Sequence, residues 1–168
     1  MRFEGIAYRI LNPIYANEPT SGEGARLTGG RFNRAGVPTL YLATTVQGAA
    51  DEAAHGLRDK FDPVTICSYE VDCDDIVDLS TPGERTRHGT HLRQLNCGWR
   101  DLKGRGLPVP SWELADRLIS GGDAGILVPS FAVGASPGQT NLVLWRWSSR
   151  RPHRVRVYDP EGRLGASR

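Results

Sequence analysis

Residues 29–52 read GGRFNRAGVPTLYLATTVQGAADE, and no other stretch constrains the fold so closely. Gly29-Gly30 interrupts any regular element. The next residues, 31–33, suit a short extended piece, and Arg34-Ala35-Gly36 suits a turn. Residues 39–43 form an apolar strand pattern. Val46, Ala49, Ala50, Ala53, Ala54 and Leu57 then fall on one helical stripe. Thr44 or Thr45 is the natural cap of that helix. The stretch places Arg31, Tyr41 and Glu52 on three successive elements.

The rest of the chain continues the mixture. Strands are predicted at 5–11, 64–71, 76–79, 125–128, 141–147 and 153–158. Leu92, Leu95, Trp99 and Leu102 have helical spacing. A further helix at 111–119 stops at Gly121-Gly122. Strand pairs with separated helices favour an α+β fold over a regular βαβ array. No repeat, low-complexity segment or linker divides the sequence.

Composition narrows the function classes. The 168 residues are most simply one domain, large enough for a core without disulfides or metal. At 39 % hydrophobic and 24 % charged residues, a soluble globular protein is expected. No apolar run approaches the ~20 residues of a membrane helix. The N-terminal MRFEGIAYRILNPIY lacks the pattern of a secretory signal, so a cytoplasmic location and no membrane partner are expected. Cys67, Cys73 and Cys97 are expected to be reduced structural thiols. A net charge of +2 with no basic tract argues against direct nucleic-acid binding.

Several motifs fail. GEGARL begins like a dinucleotide fingerprint, but Leu27 stands at the third glycine position and no helix pattern follows. GASPG at 134–138 matches a nucleophile elbow around Ser136. Pro137 has no N–H to serve as an oxyanion donor, and a strand pattern follows. His88, His91 and Cys97 match no complete zinc spacing, so no metal is expected. Asp72, Asp74, Asp75 and Asp78 read as a charged turn, not a calcium loop. Trp99, Trp112, Trp145 and Trp147 read as packing.

Arg31, Tyr41 and Glu52 remain, with Arg9 and Ser130 as helpers. Arginine offers phosphate a rigid fork of donors. A carboxylate stabilises positive charge developing on a sugar. An aromatic ring between them offers a stacking surface. Together they suit a nucleotide, with cleavage at its ribose. On the helix, Glu52 lies away from the apolar stripe, one turn from Gly48 and Gly56, which would leave it unshielded.

YRI at 8–10, GGRFN at 29–33, LYLA at 40–43, the glutamate of AADEAAH, VPS at 128–130 and NLVL at 141–144 follow one another in order. Taken together, the chain resembles the RES-domain toxins of bacterial toxin–antitoxin modules over almost its whole length. The resemblance implies one domain over 1–168, with a catalytic core at about 5–158 and a short tail. It implies a fold similar to ADP-ribosyltransferases: a split, mostly antiparallel sheet flanked by helices. It further implies NAD+ as substrate and an Xre-like antitoxin covering the cleft. The family's arginine, glutamate and serine would fall on Arg31, Glu52 and Ser130. Arg9, Arg31, Tyr41, Ser130 and Asn141 would bind the dinucleotide. The acceptor of ADP-ribose stays open among water, phosphate and a protein such as a metabolic enzyme. A nucleotide-binding module without catalysis and an RNA-cleaving toxin are the competing classes.

Overall fold

The computed structural model describes residues 1–54 and 63–164. In chain order the elements are β1 (Phe3–Leu11), α1 (Glu23–Thr28), β2 (Leu40–Ala43), α2 (Val46–Ala53), β3 (Thr65–Cys73), β4 (Ile76–Asp78) and α3 (Pro82–Arg87). They continue with α4 (Leu92–Leu95), α5 (Trp99–Gly104), α6 (Pro110–Ser120), β5 (Gly125–Pro129), β6 (Thr140–Leu144) and β7 (His153–Val157). The strands make one sheet in the order β4-β5-β6-β2-β1-β3-β7. Among the described residues β4 and β5 run parallel and the other neighbours antiparallel. The fold is α+β, as expected.

The split is visible in the ladder. β1 pairs with β3 along its whole length, from Phe3 opposite Cys73 to Leu11 opposite Thr65. β1 meets β2 through one register pair, Tyr8 opposite Ala43. The sheet is thus two halves, β4-β5-β6-β2 and β1-β3-β7, joined at a narrow seam. Tyr41 lies on β2, Arg9 on β1 and Asn141 on β6, opposite Ala43, so the candidate residues gather beside that seam.

Strand alternation builds a core on each face of β5 and β6. Ile126, Val128 and Val143 pack with Phe32, Leu95, Leu114 and Leu118. Leu142 and Leu144 turn the other way, toward Leu40, Leu42, Tyr69 and Val71. Removing one such leucine or isoleucine from water contributes about 1.5–3 kcal/mol. α6 buries Trp112, Leu114, Ala115 and Leu118, the helical spacing expected at 111–119.

Other expectations need correction. The helical spacing from Leu92 to Leu102 covers two short helices, α4 and α5, broken at Asn96-Cys97-Gly98. GEGARL is largely helical, as α1; the helix pattern there is too short to show in hydrophobic periodicity. The strand expected at 141–147 ends at Leu144, so Trp145 and Trp147 lie beyond it. Asp72 is not in a turn. It sits on β3, 3 % exposed, against Arg2 at 2.7 Å, Arg154 at 3.2 Å and Arg151 at 3.6 Å. Val46 is 45 % exposed and does not belong to a buried stripe. Gly56 and Leu57 lie outside the described residues. Among the described residues no helix is long and apolar enough to cross a membrane.

Candidate active site

Arg31 is held in place by its own backbone and by its side chain. Gly29 adopts φ 73°, a conformation glycine takes at little cost. The Gly30 N–H then donates forward to the Asn33 carbonyl at 3.0 Å. A Cβ on Gly30 would lie 2.5 Å from the Tyr41 hydroxyl and 2.7 Å from Asn33 Oδ1, so a side chain there would displace both. Arg31 donates through Nη1 to the Cys97 carbonyl at 2.9 Å and the Leu95 carbonyl at 3.4 Å. Its guanidinium lies 4.9 Å from the centre of the Phe131 ring, a cation–π distance.

Tyr41 is fixed at both ends of its hydroxyl. The Phe32 N–H donates to it at 3.0 Å, and it donates to Asn33 Oδ1 at 2.8 Å. Burial pushes its proton loss well above the ordinary tyrosine range. Tyr41 therefore stays neutral and offers the site a ring wall, not a proton.

Glu52 stands in the last turn of α2. Thr45 caps that helix, its hydroxyl accepting from the Gly48 N–H at 3.0 Å. Gly48 packs closely: a Cβ there would sit 3.0 Å from Thr45 Oγ1 and 3.4 Å from the Ala43 Cβ. Its smallness serves helix-to-strand packing, so the expectation that it unshields Glu52 is replaced. Glu52 is exposed, yet it is aimed. Its Oε1 accepts from Asn141 Nδ2 at 2.6 Å and from Ser130 Oγ at 3.0 Å. Among the described residues no donor reaches Oε2 within hydrogen-bond distance.

Two cavities adjoin at Tyr41, Glu52 and Asn141. The larger, about 760 Å³, is bounded by Gly30, Arg31, Phe32, Phe131, Val128 and Val143 on one side and by Trp99, Arg100 and Lys103 of α5 on the other. The smaller, about 250 Å³, is bounded by Tyr8, Arg9, Ile10, Ala43, Ala49 and Ala53. The structure thus brings Arg31, Tyr41, Glu52 and Asn141 to one cavity and joins Ser130 to Glu52. Arg9 lines the smaller cavity together with Tyr41, Glu52 and Asn141, and not the larger one. Its Nη1 donates to the Ser21 carbonyl at 3.0 Å and the Pro19 carbonyl at 3.4 Å.

The electrostatics are lopsided. Arg31, Arg100 and Lys103 face the larger cavity, and Glu52 is the acidic residue among those lining it. Burial eases proton loss from Arg31 relative to an ordinary arginine; Glu52 opposes this and Arg100 adds to it. Trp99, Arg100, Lys103 and Phe131 are missing from the site as read in the sequence. The signal was there in WRDLK, whose tryptophan, arginine and lysine share one side of a helix at i, i+1 and i+4. The three cysteines are free thiols; burial raises Cys73 to about 12. Among the described residues no three His, Cys, Asp or Glu side chains gather to hold a metal.

A family model described as the RES domain matches residues 6–167. The chain belongs to the RES-domain family. It is 29 % identical over 114 residues to the protein named Toxin Res of Photorhabdus laumondii subsp. laumondii, which covers 63 % of this chain and 73 % of that protein. Its fold is similar to a chain in the crystal structure of the M. tuberculosis MbcT-MbcA toxin–antitoxin complex. That likeness has a TM-score of 0.66 at 21 % identity, and covers 95 % of this chain and 84 % of the other.

Proposed function

We propose that this RES-domain chain is the toxin of a toxin–antitoxin pair and consumes NAD+. The reaction is cleavage of the nicotinamide–ribose bond, with ADP-ribose passed to a second reactant. The observation that carries this reading is Glu52: one carboxylate, oriented by two neutral donors, facing a cavity whose other charged lining residues are the cations Arg31, Arg100 and Lys103.

The chemistry follows from the substrate. Nicotinamide is bound to ribose as a cation and leaves neutral, so its departure needs no general acid. Positive charge moves onto the ribose, as in glycoside cleavage. A preorganised carboxylate stabilises that state more than the ground state. Asn141 and Ser130 occupy Oε1 of Glu52 and leave Oε2 for the ribose hydroxyls or the developing cation. Arg31 keeps Nε and Nη2 for a phosphate or ribose oxygen. Tyr41, neutral and clamped, walls the point where the two cavities meet. No metal takes part in this scheme.

Mass spectrometry after incubation with NAD+ and cell lysate tests the reading. Free ADP-ribose means hydrolysis, a phosphorylated ADP-ribose means phosphorolysis, and a protein bearing ADP-ribose means transfer. Stoichiometric NAD+ binding with no nicotinamide released under any acceptor would instead favour a binding module. Intact cellular RNA during growth arrest would exclude the ribonuclease alternative.

The partner reading is an Xre-like antitoxin that covers the Arg31 and Glu52 face. The structural relative comes from a toxin–antitoxin complex, which supports an antitoxin partner. Arginines that accept phosphate also accept carboxylate, so an acidic group or chain terminus can replace the substrate. NAD+ and antitoxin should then weaken each other's binding by one common factor. Saturating antitoxin that leaves NAD+ affinity untouched would rule out occlusion.

A further inference from the structure

We infer that α5 is the reader of the dinucleotide's diphosphate: Arg100 and Lys103 contact the phosphate oxygens, while Arg31 chiefly braces the loop that carries α5. The inference rests on the NAD+ reading above and adds to it residues outside the matching motifs.

Three observations lead there. The first is how the helix sorts its charges. Asp101 pairs with Arg105 at 3.2 Å, and neither lines the larger cavity. Trp99, Arg100 and Lys103 do. Among the described residues Arg100 has no carboxylate partner; its guanidinium rests 5.2 Å from the centre of the Trp99 ring. Lys103 is likewise unpaired with any acid, its Nζ donating to the Thr28 carbonyl at 2.7 Å.

The second observation is what Arg31 already does. Its Nη1 is bound to the carbonyls of Leu95 and Cys97, at the end of α4 and just before α5. The same loop is held from the other side, where Cys97 Sγ lies 3.3 Å from Ser111 Oγ. Arg31 thereby positions α5 against the cavity. Its remaining donors can assist a ligand, but its place is set by protein carbonyls.

The third is charge and size. A diphosphate carries two negative charges, which Arg100 and Lys103 match. Arg100 lies near enough to Arg31 to perturb it, so these two cations repel each other until an anion enters. A cavity of about 760 Å³ exceeds what a nicotinamide riboside alone would fill and suits a dinucleotide. With the phosphates under α5, the scissile bond falls at Glu52 and the leaving base lies toward the smaller cavity.

Calorimetry with ADP, which cannot be cleaved at a nicotinamide bond, tests the assignment. The Arg100→Ala/Lys103→Ala double variant should bind ADP about 10- to 100-fold more weakly than wild type. KM for NAD+ should rise by a similar factor with kcat kept, and turnover of nicotinamide riboside should not change. Arg105→Ala, on the opposite face, should leave ADP binding as it was. Arg100→Glu removes only a contact with the Trp99 ring, so the fold should persist while ADP binding falls further than with alanine. Wild-type turnover of NAD+ together with unchanged ADP binding in the double variant would overturn the α5 assignment and leave the NAD+ reading standing. Wild-type protein that binds neither NAD+ nor ADP would overturn both.

Discussion

The arginine and the carboxylate of this site are held in opposite ways. Around Arg31, remote side chains grip the main chain. Trp112 donates to the Gly30 carbonyl at 2.7 Å, Ser111 to that of Arg31 at 2.5 Å and Trp145 to that of Phe32 at 2.9 Å. Further back, Trp147 donates to Thr20 at 3.0 Å and Tyr69 to Pro19 at 2.7 Å. Glu52, by contrast, is exposed at the end of a helix that buries only Gly48 and Ala49. Two side-chain hydrogen bonds aim it. A loop without regular structure needs many donors to hold one conformation, because each ordered residue costs about 1–2 kcal/mol of backbone entropy. A carboxylate that must respond to charge on a substrate needs few contacts, and those neutral. Damage on the arginine side should therefore appear as lost stability, and damage on the carboxylate side as lost rate.

The sharpest break of that contrast is Glu52→Gln. It keeps shape and removes charge, so nicotinamide release should fall ~10²-fold or more while the melting temperature holds. Unchanged release would remove Glu52 from the mechanism. Ser111→Ala should do the reverse. Ser111 is fully buried, and its loss leaves the Arg31 carbonyl without this donor. The expected cost is about 1–3 kcal/mol, read by denaturant or thermal melting, with kcat largely kept below the transition. If kcat collapses while stability is untouched, the two sides are not separable. Ser130→Ala should fall between them: Glu52 keeps Asn141 but loses one orienting bond, so kcat should drop about tenfold or less with KM little changed.

The smallest effect lies away from both sides. Arg2 and, through their charges, Arg151 and Arg154 hold the Asp72 carboxyl below the ordinary aspartate range. A depressed folded value means its stabilisation is complete above about pH 4 and is lost as pH falls through the lowered value. Melting curves across that window should steepen in wild type and flatten in Asp72→Asn. Equal acid sensitivity in the two proteins would place the acid-labile group elsewhere.

Arg31, Tyr41 and Glu52 were legible in the sequence because each lies in a short segment with a strong local signal: a double glycine, an apolar strand, a capped alanine-rich helix. β1, β2, β3 and α6 were legible for the same reason. The grip on the loop was not. The indoles of Trp112, Trp145 and Trp147 read as packing, whereas each also donates to a carbonyl more than 80 positions earlier. Side-chain periodicity carries no record of which carbonyl a buried N–H will meet. Asn141, expected as a substrate contact, lines both cavities, and its amide also orients Glu52, a bond the sequence pattern does not show. The break between α4 and α5 was hidden because leucines and a tryptophan keep helical spacing across Asn96-Cys97-Gly98. Beyond that break, Arg100 and Lys103 line the cavity.

The partners of Glu52 lie 78 and 89 positions further along the chain. Translation delivers Arg31 and Glu52 early and the groups that aim them late. A chain still on the ribosome carries a carboxylate with nothing to orient it and a loop whose clamps at Trp145 and Trp147 have yet to be made. The groups that aim Glu52 thus arrive only once Ser130 and Asn141 have been made, in the sheet half that holds β5 and β6. The interval between Glu52 and Asn141 is a period in which the carboxylate stands exposed on its helix without the groups that aim it.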